Sequence, residues 1–147
     1  IFDAKLNLAQ IPDLSKFAAF SDKFADRTRI VCALESDAER ERLLAARGAR
    51  VMRVPADSRS PEFWDLLKKA LWGEGISSLY LEGGALTLRS CAAAKAAEFA
   101  FEYENPSLIL GGSALPAWDG PRPFGLESPQ VFELGADKME FGRIKYE

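Results

Sequence analysis

The sequence contains no histidine, and this absence excludes several enzyme classes at once. A Ser-His-Asp triad, a Cys-His pair and the common histidine zinc sites all need an imidazole. The two cysteines, Cys32 and Cys91, stand apart in apolar or alanine-rich surroundings, so they form neither a metal-binding pair nor a disulfide framework. We predict that both are buried thiols and that the chain binds no metal. Carboxylate chemistry, a bound organic cofactor, or a role without chemistry remains.

Long apolar runs and an excess of positive charge are also missing. No run approaches the ~20 apolar residues of a membrane-spanning helix, and the first residues do not form a basic segment followed by an apolar one. The net charge of -3 offers no cationic surface to nucleic acid or to an anionic membrane. We therefore expect a cytoplasmic protein that binds neither. A chain of 147 residues, 48% hydrophobic and 28% charged, suits a single domain over residues 1–147.

Helix signals recur between short apolar segments. Ser36 with Glu39 three residues later has the spacing of a capping box, which predicts a helix that stops at Gly48. Ser60 before a proline opens a second helix, and Gly73 ends it. Alanine-rich residues up to about position 95 predict a third helix.

Short apolar segments of strand length alternate with these helices. They cover residues 29–34, 50–55, 77–82 and 98–104. Such alternation predicts a mainly parallel sheet, because parallel strands need helical crossovers. Residues 130–147 instead read as two strands joined at "GADK", which predicts an antiparallel hairpin. We expect a three-layer α/β fold with a mainly parallel twisted sheet and a C-terminal antiparallel hairpin.

The stretch "SSLYLEGGALTLRS" joins an expected strand to an expected helix through Glu82, Gly83 and Gly84. In an open parallel sheet, ligands bind beyond the carboxyl ends of the strands, where a helix start presents unpaired N–H groups. Glycines without Cβ atoms let a phosphate or a ring approach that backbone closely. A sharp structural turn also explains the two glycines and is the interpretation that these residues alone favour. From these residues alone, both interpretations stay open.

Three segments resemble one known family: "GISSLYLEGGALTLRS", "NPSLILGG" and the closing "GADKMEFGRIKYE". Together they look like the C-terminal reductase domain of the bifunctional riboflavin biosynthesis deaminase-reductase. The opening "IFDAKLNL" resembles the segment with which that family enters the second part of this domain. The resemblance implies a dihydrofolate reductase-like fold that lacks its N-terminal strands here.

The resemblance also implies an activity and its site residues. The implied reaction is hydride transfer from NADPH to C1' of the opened ribosyl chain of 5-amino-6-(5-phosphoribosylamino)uracil, which gives the ribitylamino product of riboflavin biosynthesis. By position, Glu82 would contact this substrate. The implied NADPH contacts follow it directly: Gly84, Ala85, Leu86, Thr87, Leu88, Arg89 and Ser90. The Gly83-Gly84 peptide would be strained and often cis.

The chain departs from the family in three places. It has no Asp-Pro plus Arg segment of the kind that forms the substrate phosphate site. After the first strand, relatives often carry threonine or a basic residue near the adenosine phosphate, whereas this chain has Cys32, Ala33 and Glu35, with Ser36 and Arg40 as possible substitutes. The usual Val-Asp-Glu before the next strand reads "AAE" here.

Two further expectations follow from the resemblance. We expect a piece of a longer protein with an upstream deaminase domain, and we expect a homodimer. The alternative function is a non-catalytic module that keeps the fold for nucleotide binding or assembly.

Overall fold

The structure, a computed structural model, describes residues 1–21, 23–108, 111 and 116–146. These residues form a mixed α/β fold with a two-stranded parallel sheet and a three-stranded antiparallel sheet. The chain divides into two compact units, unit 1 over Ile1–Ser78 and unit 2 over Leu79–Glu147.

Unit 1 contains the parallel sheet and two helices. The strands are β1 (Arg29–Cys32) and β2 (Arg50–Arg53), and the helices are α1 (Ala38–Ala46) and α2 (Pro61–Gly73). The opening residues run beside β1 in the same direction, with a parallel bridge between Phe2 and Val31. The chain then forms three short 3-10 helices at Asn7–Gln10, Leu14–Lys16 and Ala18–Phe20.

The predicted helix boundaries in unit 1 are largely confirmed. Ser60 caps α2 by accepting a hydrogen bond from the N–H of Phe63, and Gly48 takes a positive φ of 83° after α1. The prediction that Ser36 caps α1 was wrong, because Asp37 is the N-cap residue and its side chain accepts a hydrogen bond from Glu39 N–H at 2.7 Å. Ser36 is instead buried.

The unit 1 core joins the N-terminal segment to the sheet and α1. Its buried members are Leu6, Ala9, Leu14, Ile30, Cys32 and Leu44. Phe63 of α2 is fully buried, with its ring centroid 5.2 Å from that of Phe2. Packing of this kind fixes the position of β1 and therefore of the loop that follows it.

Unit 2 contains one helix and the antiparallel sheet. The helix is α3 (Ala85–Ala93), and the strands are β3 (Phe99–Glu104), β4 (Phe124–Leu134) and β5 (Asp137–Tyr146), in the order β3-β5-β4. The predicted hairpin is confirmed: Leu134 pairs with Asp137 across the turn, where Gly135 has φ of 71°. The ladder between β4 and β5 shifts register between Glu127 and Gln130. Pro129 lies in this shift, where its missing N–H costs no ladder bond.

Two expectations about the sheet were wrong. Residues 77–82 form no strand, and β3 pairs antiparallel with β5. An apolar run becomes a strand only if a neighbouring backbone pairs with it, and no such ladder is found for residues 77–82 within the described part of the chain. The described strands therefore do not form one mainly parallel sheet. The motif at 105–112 is described only in part, since residues 109, 110 and 112 lie outside the described residues.

One face of the antiparallel sheet is aromatic and exposed. Phe101 stacks on Phe141 of β5 with ring centroids 4.5 Å apart, yet it is 44% exposed. Phe99 and Tyr103 on the same side of β3 are more than half exposed. On the opposite face, Glu102 pairs with Arg122. We call the residues Phe99, Phe101, Tyr103 and Phe141 the aromatic face.

Candidate functional site

The Glu82-Gly83-Gly84 corner lies in unit 2, immediately before α3. All three residues are exposed. The structure has no cis peptide bond among its described residues, so the expected cis bond between Gly83 and Gly84 was wrong. Gly84 is the N-cap of α3 with φ -67° and ψ 167°, an extended conformation that any residue adopts. The pair of glycines is therefore not required by backbone conformation.

Space around the two glycines differs. A Cβ at Gly83 would lie 3.0 Å from Cβ of Thr87, whereas a Cβ at Gly84 would meet no protein atom within 4 Å. A side chain at position 83 would therefore need Thr87 to shift by a few tenths of an ångström. At Gly84, the absence of a side chain leaves open space in front of the helix.

The start of α3 presents unpaired donors into this space. The carbonyl of Gly84 accepts from the N–H groups of Thr87 and Leu88, at 3.0 and 3.2 Å. For the N–H groups of Ala85 and Leu86, no acceptor is found among the residues that the structure describes. Such groups, together with the helix dipole, favour an anion. The corner therefore fits a phosphate or pyrophosphate group.

Glu82 stands beside this helix start. No hydrogen bond or ion pair of its carboxylate is found within the described ranges. A free carboxylate is an acceptor with two oxygens, which suits hydroxyl groups. This placement is compatible with the predicted substrate contact, which stays a prediction.

The remaining predicted nucleotide contacts lie along α3. Thr87, Leu88 and Ser90 are half-buried, and Leu86 is 82% exposed. The side chain of Arg89 is occupied elsewhere, because it donates to the carbonyls of Pro116 and Ala117 and pairs with Asp119 at 2.5 Å. In this arrangement Arg89 anchors the loop around residues 116–119.

A second candidate lies in unit 1, at the carboxyl ends of β1 and β2. It is a cleft of about 370 Å³ lined by Lys5, Glu35, Ser58 and Arg59. Glu35 follows β1, and Ser58 and Arg59 follow β2, so the cleft occupies the edge where parallel sheets bind ligands. Sequence reasoning singled out only Glu35 of these four. The sequence signal for Ser58 and Arg59 was their position just after β2, whereas Lys5 lies before both strands and had no such signal.

The cleft residues are held by hydrogen bonds. The hydroxyl of Ser58 donates to the Glu35 carboxylate, and the Ser58 backbone N–H lies 3.3 and 3.4 Å from its two oxygens. Arg59 contacts Asp57 through two nitrogens, at 3.2 and 3.1 Å. Hydrogen bonds from Arg59 lower the pKa of Asp57. For Lys5, no ion pair is found in the described part of the chain.

Arg53 fixes the loop that presents Glu35. Its Nη1 lies 3.3 Å from each of three carbonyl oxygens, those of Ala33, Leu34 and Ser36. Its other nitrogens bind Glu41 of α1, and this hydrogen bonding raises the pKa of Arg53. All three guanidinium nitrogens of Arg53 are thus engaged, and the contacts of Nη1 restrain the backbone of the loop after β1.

The two expected substitutes for a 2'-phosphate contact differ in their surroundings. Ser36 is only 8% exposed, so its side chain is shielded from a phosphate at the surface. Arg40 donates through Nη1 to the carbonyl of Lys5 at 3.1 Å and to Oδ1 of Asn7 at 2.9 Å, which holds it against the N-terminal segment.

Other site types find no support. Both cysteines are buried, as predicted. No group of three or more metal-ligating side chains occurs in the described ranges. Within the same residues, no helix is long and apolar enough to cross a membrane.

Comparison with known proteins gives a match in fold. No protein-family model and no curated protein matches the chain. Among solved structures, the chain is similar to a pyrimidine reductase-like protein from Corynebacterium diphtheriae, with a TM-score of 0.67 and 13% sequence identity. The match covers 99% of this chain and 60% of that protein. At this identity the shared property is the fold.

Proposed function

We propose that the chain is part of a pyrimidine reductase that reduces 5-amino-6-(5-phosphoribosylamino)uracil to its ribitylamino product in riboflavin biosynthesis. The observation that carries the proposal is the likeness to a pyrimidine reductase-like protein over 99% of the chain. The ordered set of sequence motifs around Glu82, Gly84 and the C-terminal hairpin supports the same family. On this proposal residues 1–147 belong to one reductase domain with a dihydrofolate reductase-like fold.

The hydride donor in this proposal is a reduced pyridine nucleotide, which is NADPH in the family that the chain resembles. Such a nucleotide supplies the hydride when it is bound, so the protein needs no catalytic histidine. The chain's own task is to bind and orient the two reactants.

The start of α3 is the proposed nucleotide contact. The N–H groups of Ala85 and Leu86 lack acceptors among the described residues, and Gly84 leaves open space in front of them. A pyrophosphate at this point would accept from both groups and interact favourably with the helix dipole. This contact uses backbone groups of α3, so it does not depend on the side chain of Arg89, which the loop engages.

Glu82 is the proposed substrate contact. Its carboxylate is exposed and has no partner among the described residues, so it can accept hydrogen bonds from the hydroxyls of a ribosyl chain. Hydroxyls held in this way would fix the sugar carbon relative to the nucleotide.

A non-catalytic module with the same fold is the second candidate. One observation favours it: Arg89, a predicted nucleotide contact, is bound to the loop around residues 116–119 rather than free for a ligand. Such a module would keep the fold without turnover.

The proposed assembly is a homodimer, and the full-length protein is proposed to carry a deaminase domain upstream. The exposed aromatic face supports association, because exposed apolar patches commonly mark contact surfaces. Sedimentation velocity tests this directly. A monomer at high micromolar concentration would contradict the homodimer.

Titration of the chain with NADPH and with NADH, followed by quenching of tryptophan fluorescence, tests the proposed function. A reductase gives saturable quenching by at least one of the two. Turnover of the pyrimidine substrate by the full-length gene product then separates the enzyme from the non-catalytic module.

A further inference from the structure

Arg89 is the only charged residue of α3, and it lies on the same face of the helix as Ala85. The two residues are separated by about 6 Å along the axis, and helical side chains lean toward the N-terminus. The guanidinium of Arg89 therefore lies toward the helix start, where the N–H groups of Ala85 and Leu86 lack acceptors among the described residues. Arg89 would add a side-chain cation to a phosphate contact that these backbone groups make.

The guanidinium of Arg89 is bound by one loop segment, residues 116–119, which we call the strap. Its Nη1 donates to the carboxylate of Asp119 at 2.5 Å. Its Nε and Nη2 donate to the carbonyls of Ala117 and Pro116, each at 2.9 Å. A carboxylate on a guanidinium occupies the same donors that a phosphate would use. Asp119 thus takes the position of a ligand's phosphate oxygen.

The contact between the strap and Arg89 is suited to exchange. The side chain of Asp119 is 80% exposed, whereas that of Arg89 is 27% exposed. An ion pair with one partner in water contributes little, and a phosphate dianion brings more charge and more acceptor oxygens to the same guanidinium. The strap has a second attachment, because the ring of Trp118 packs edge-on against that of Phe124 with centroids 5.7 Å apart. Release of Arg89 therefore need not detach the whole loop.

We propose that the strap is an autoinhibitory contact, in which Asp119 holds Arg89 until the phosphate of a nucleotide at the start of α3 replaces it. The identity of the ligand rests on the proposed function. The strap, Arg89 and the helix start all belong to unit 2. The apparent affinity for the nucleotide is lowered by the fraction of molecules in which the strap holds Arg89. Removal of the Asp119 charge therefore strengthens binding.

Isothermal titration of the 147-residue chain with inorganic pyrophosphate, NADH and NADPH measures this effect. Asp119→Asn removes the charge and keeps the size of the side chain. We expect it to bind pyrophosphate and at least one of the two nucleotides more tightly by about threefold or more. Asp65→Asn is the matched control, since it removes the same charge from an exposed pair with Lys68 on α2 and should leave affinity unchanged. Circular dichroism of every variant checks that it is folded.

A double-mutant cycle assigns the gain to Arg89. Arg89→Gln should weaken binding by about threefold or more, because the phosphate loses a cation. Asp119→Asn added to Arg89→Gln should give no further gain, since its effect acts through Arg89. Pyrophosphate should also change the tryptophan fluorescence of the unmodified chain as the strap moves. That change should be absent in Trp118→Phe, which retains Trp64 and Trp72.

The possible failures are distinguishable. Unchanged nucleotide affinity in Asp119→Asn overturns the inference and leaves the proposed reductase intact. An equal gain from Asp119→Asn with and without Arg89 also overturns it, because the gain would then come from overall charge. The expected pattern with pyrophosphate but with neither nucleotide supports the strap and contradicts the proposed function. If none of the three ligands binds, both the inference and the proposed function are wrong.

Discussion

Arg53 and Glu41 are joined by two hydrogen bonds to one carboxylate oxygen, from Nε at 3.0 Å and from Nη2 at 2.5 Å. Both side chains are about 30% exposed. The pair links β2 to α1, while Nη1 of Arg53 contacts the loop after β1. A single guanidinium therefore connects three parts of unit 1.

Arg53→Met should destabilise the fold by about 1 to 3 kcal/mol, because it leaves Glu41 and the loop carbonyls without their charged partner. The free energy of unfolding from urea denaturation measures this loss. Arg42→Met is the matched control: Arg42 pairs with Glu39 on the exposed surface of α1, so its removal should change stability by less than about 0.5 kcal/mol. Equal losses in the two variants would show that the Arg53 contacts contribute no more than an exposed pair.

Gly84→Ala should change folding stability by no more than about 1 kcal/mol. The new methyl meets no protein atom, the backbone angles suit alanine, and the loss of a preferred capping residue is offset by lower entropy of the unfolded chain. The same methyl would occupy the space of the proposed pyrophosphate and should weaken nucleotide binding by about tenfold or more.

Two variants complete this test of Gly84. Gly84→Ser adds a favourable N-cap side chain, so it should stabilise α3 while still weakening nucleotide binding. Gly73→Ala adds a methyl at the end of α2, where no protein atom lies within 4 Å, and should leave binding unchanged. Normal affinity in Gly84→Ala would show that the corner is a structural turn.

Glu82→Gln should separate the two ligands of the proposed reductase. The carboxylate is assigned to the substrate, so we expect unchanged nucleotide affinity and reduced turnover in the full-length enzyme. Steady-state kinetics with Glu98→Gln as the control measures the difference, because Glu98 is exposed and engages Ile144 through its backbone carbonyl. A loss of nucleotide affinity in Glu82→Gln alone would contradict this assignment.

Tyr146→Phe should destabilise unit 2 by about 1 to 3 kcal/mol. The hydroxyl donates to the carbonyl of Ala97 at 3.0 Å and lies 3.2 Å from its N–H, so its removal leaves both backbone groups without this partner. Tyr103→Phe is the control, since Tyr103 is 59% exposed, and it should change stability by less than about 0.5 kcal/mol. Thermal unfolding followed by circular dichroism compares the two, and equal midpoints would contradict the assigned role of Tyr146.

Cys32 should make the free energy of unfolding depend on pH in the alkaline range. Burial raises the pKa of the Cys32 thiol above its ordinary value. The unfolded chain therefore loses this proton at a lower pH than the folded protein does. The stabilising contribution is fully present below the ordinary cysteine pKa of about 8.5 and is lost as pH rises through the folded pKa.

Unfolding free energies at neutral and alkaline pH, in the unmodified chain and in Cys32→Ala, measure this contribution. The difference in stability between the two proteins should shrink as pH rises above about 8.5. A difference that is constant with pH would show that the thiol does not titrate differently on folding.

Local signals in the sequence were sufficient for several elements. Ser60 before a proline located the start of α2, and "GADK" located the hairpin turn, because capping and turn chemistry depend on residues close in sequence. Strand pairing between segments that are distant in sequence could not be predicted from such local signals. Residues 77–82 have a strand-like pattern without a ladder, and β3 pairs with β5, some forty residues later along the chain.

The candidate site shows the same division. Glu82 and the glycines were evident from their order along the chain, but the cleft needed the pairing of β1 with β2, which brings Ser58 to Glu35. The sequence also could not predict that Arg89 binds Pro116, Ala117 and Asp119, because those residues lie in an irregular segment.

The central claim is that this chain binds a reduced pyridine nucleotide. Fluorescence titration of the unmodified 147-residue chain with NADH and NADPH tests it most directly. We expect saturable quenching by at least one of the two nucleotides, with affinity weaker by about tenfold or more in Gly84→Ala. Quenching by neither nucleotide, in a chain that circular dichroism shows to be folded, would contradict it.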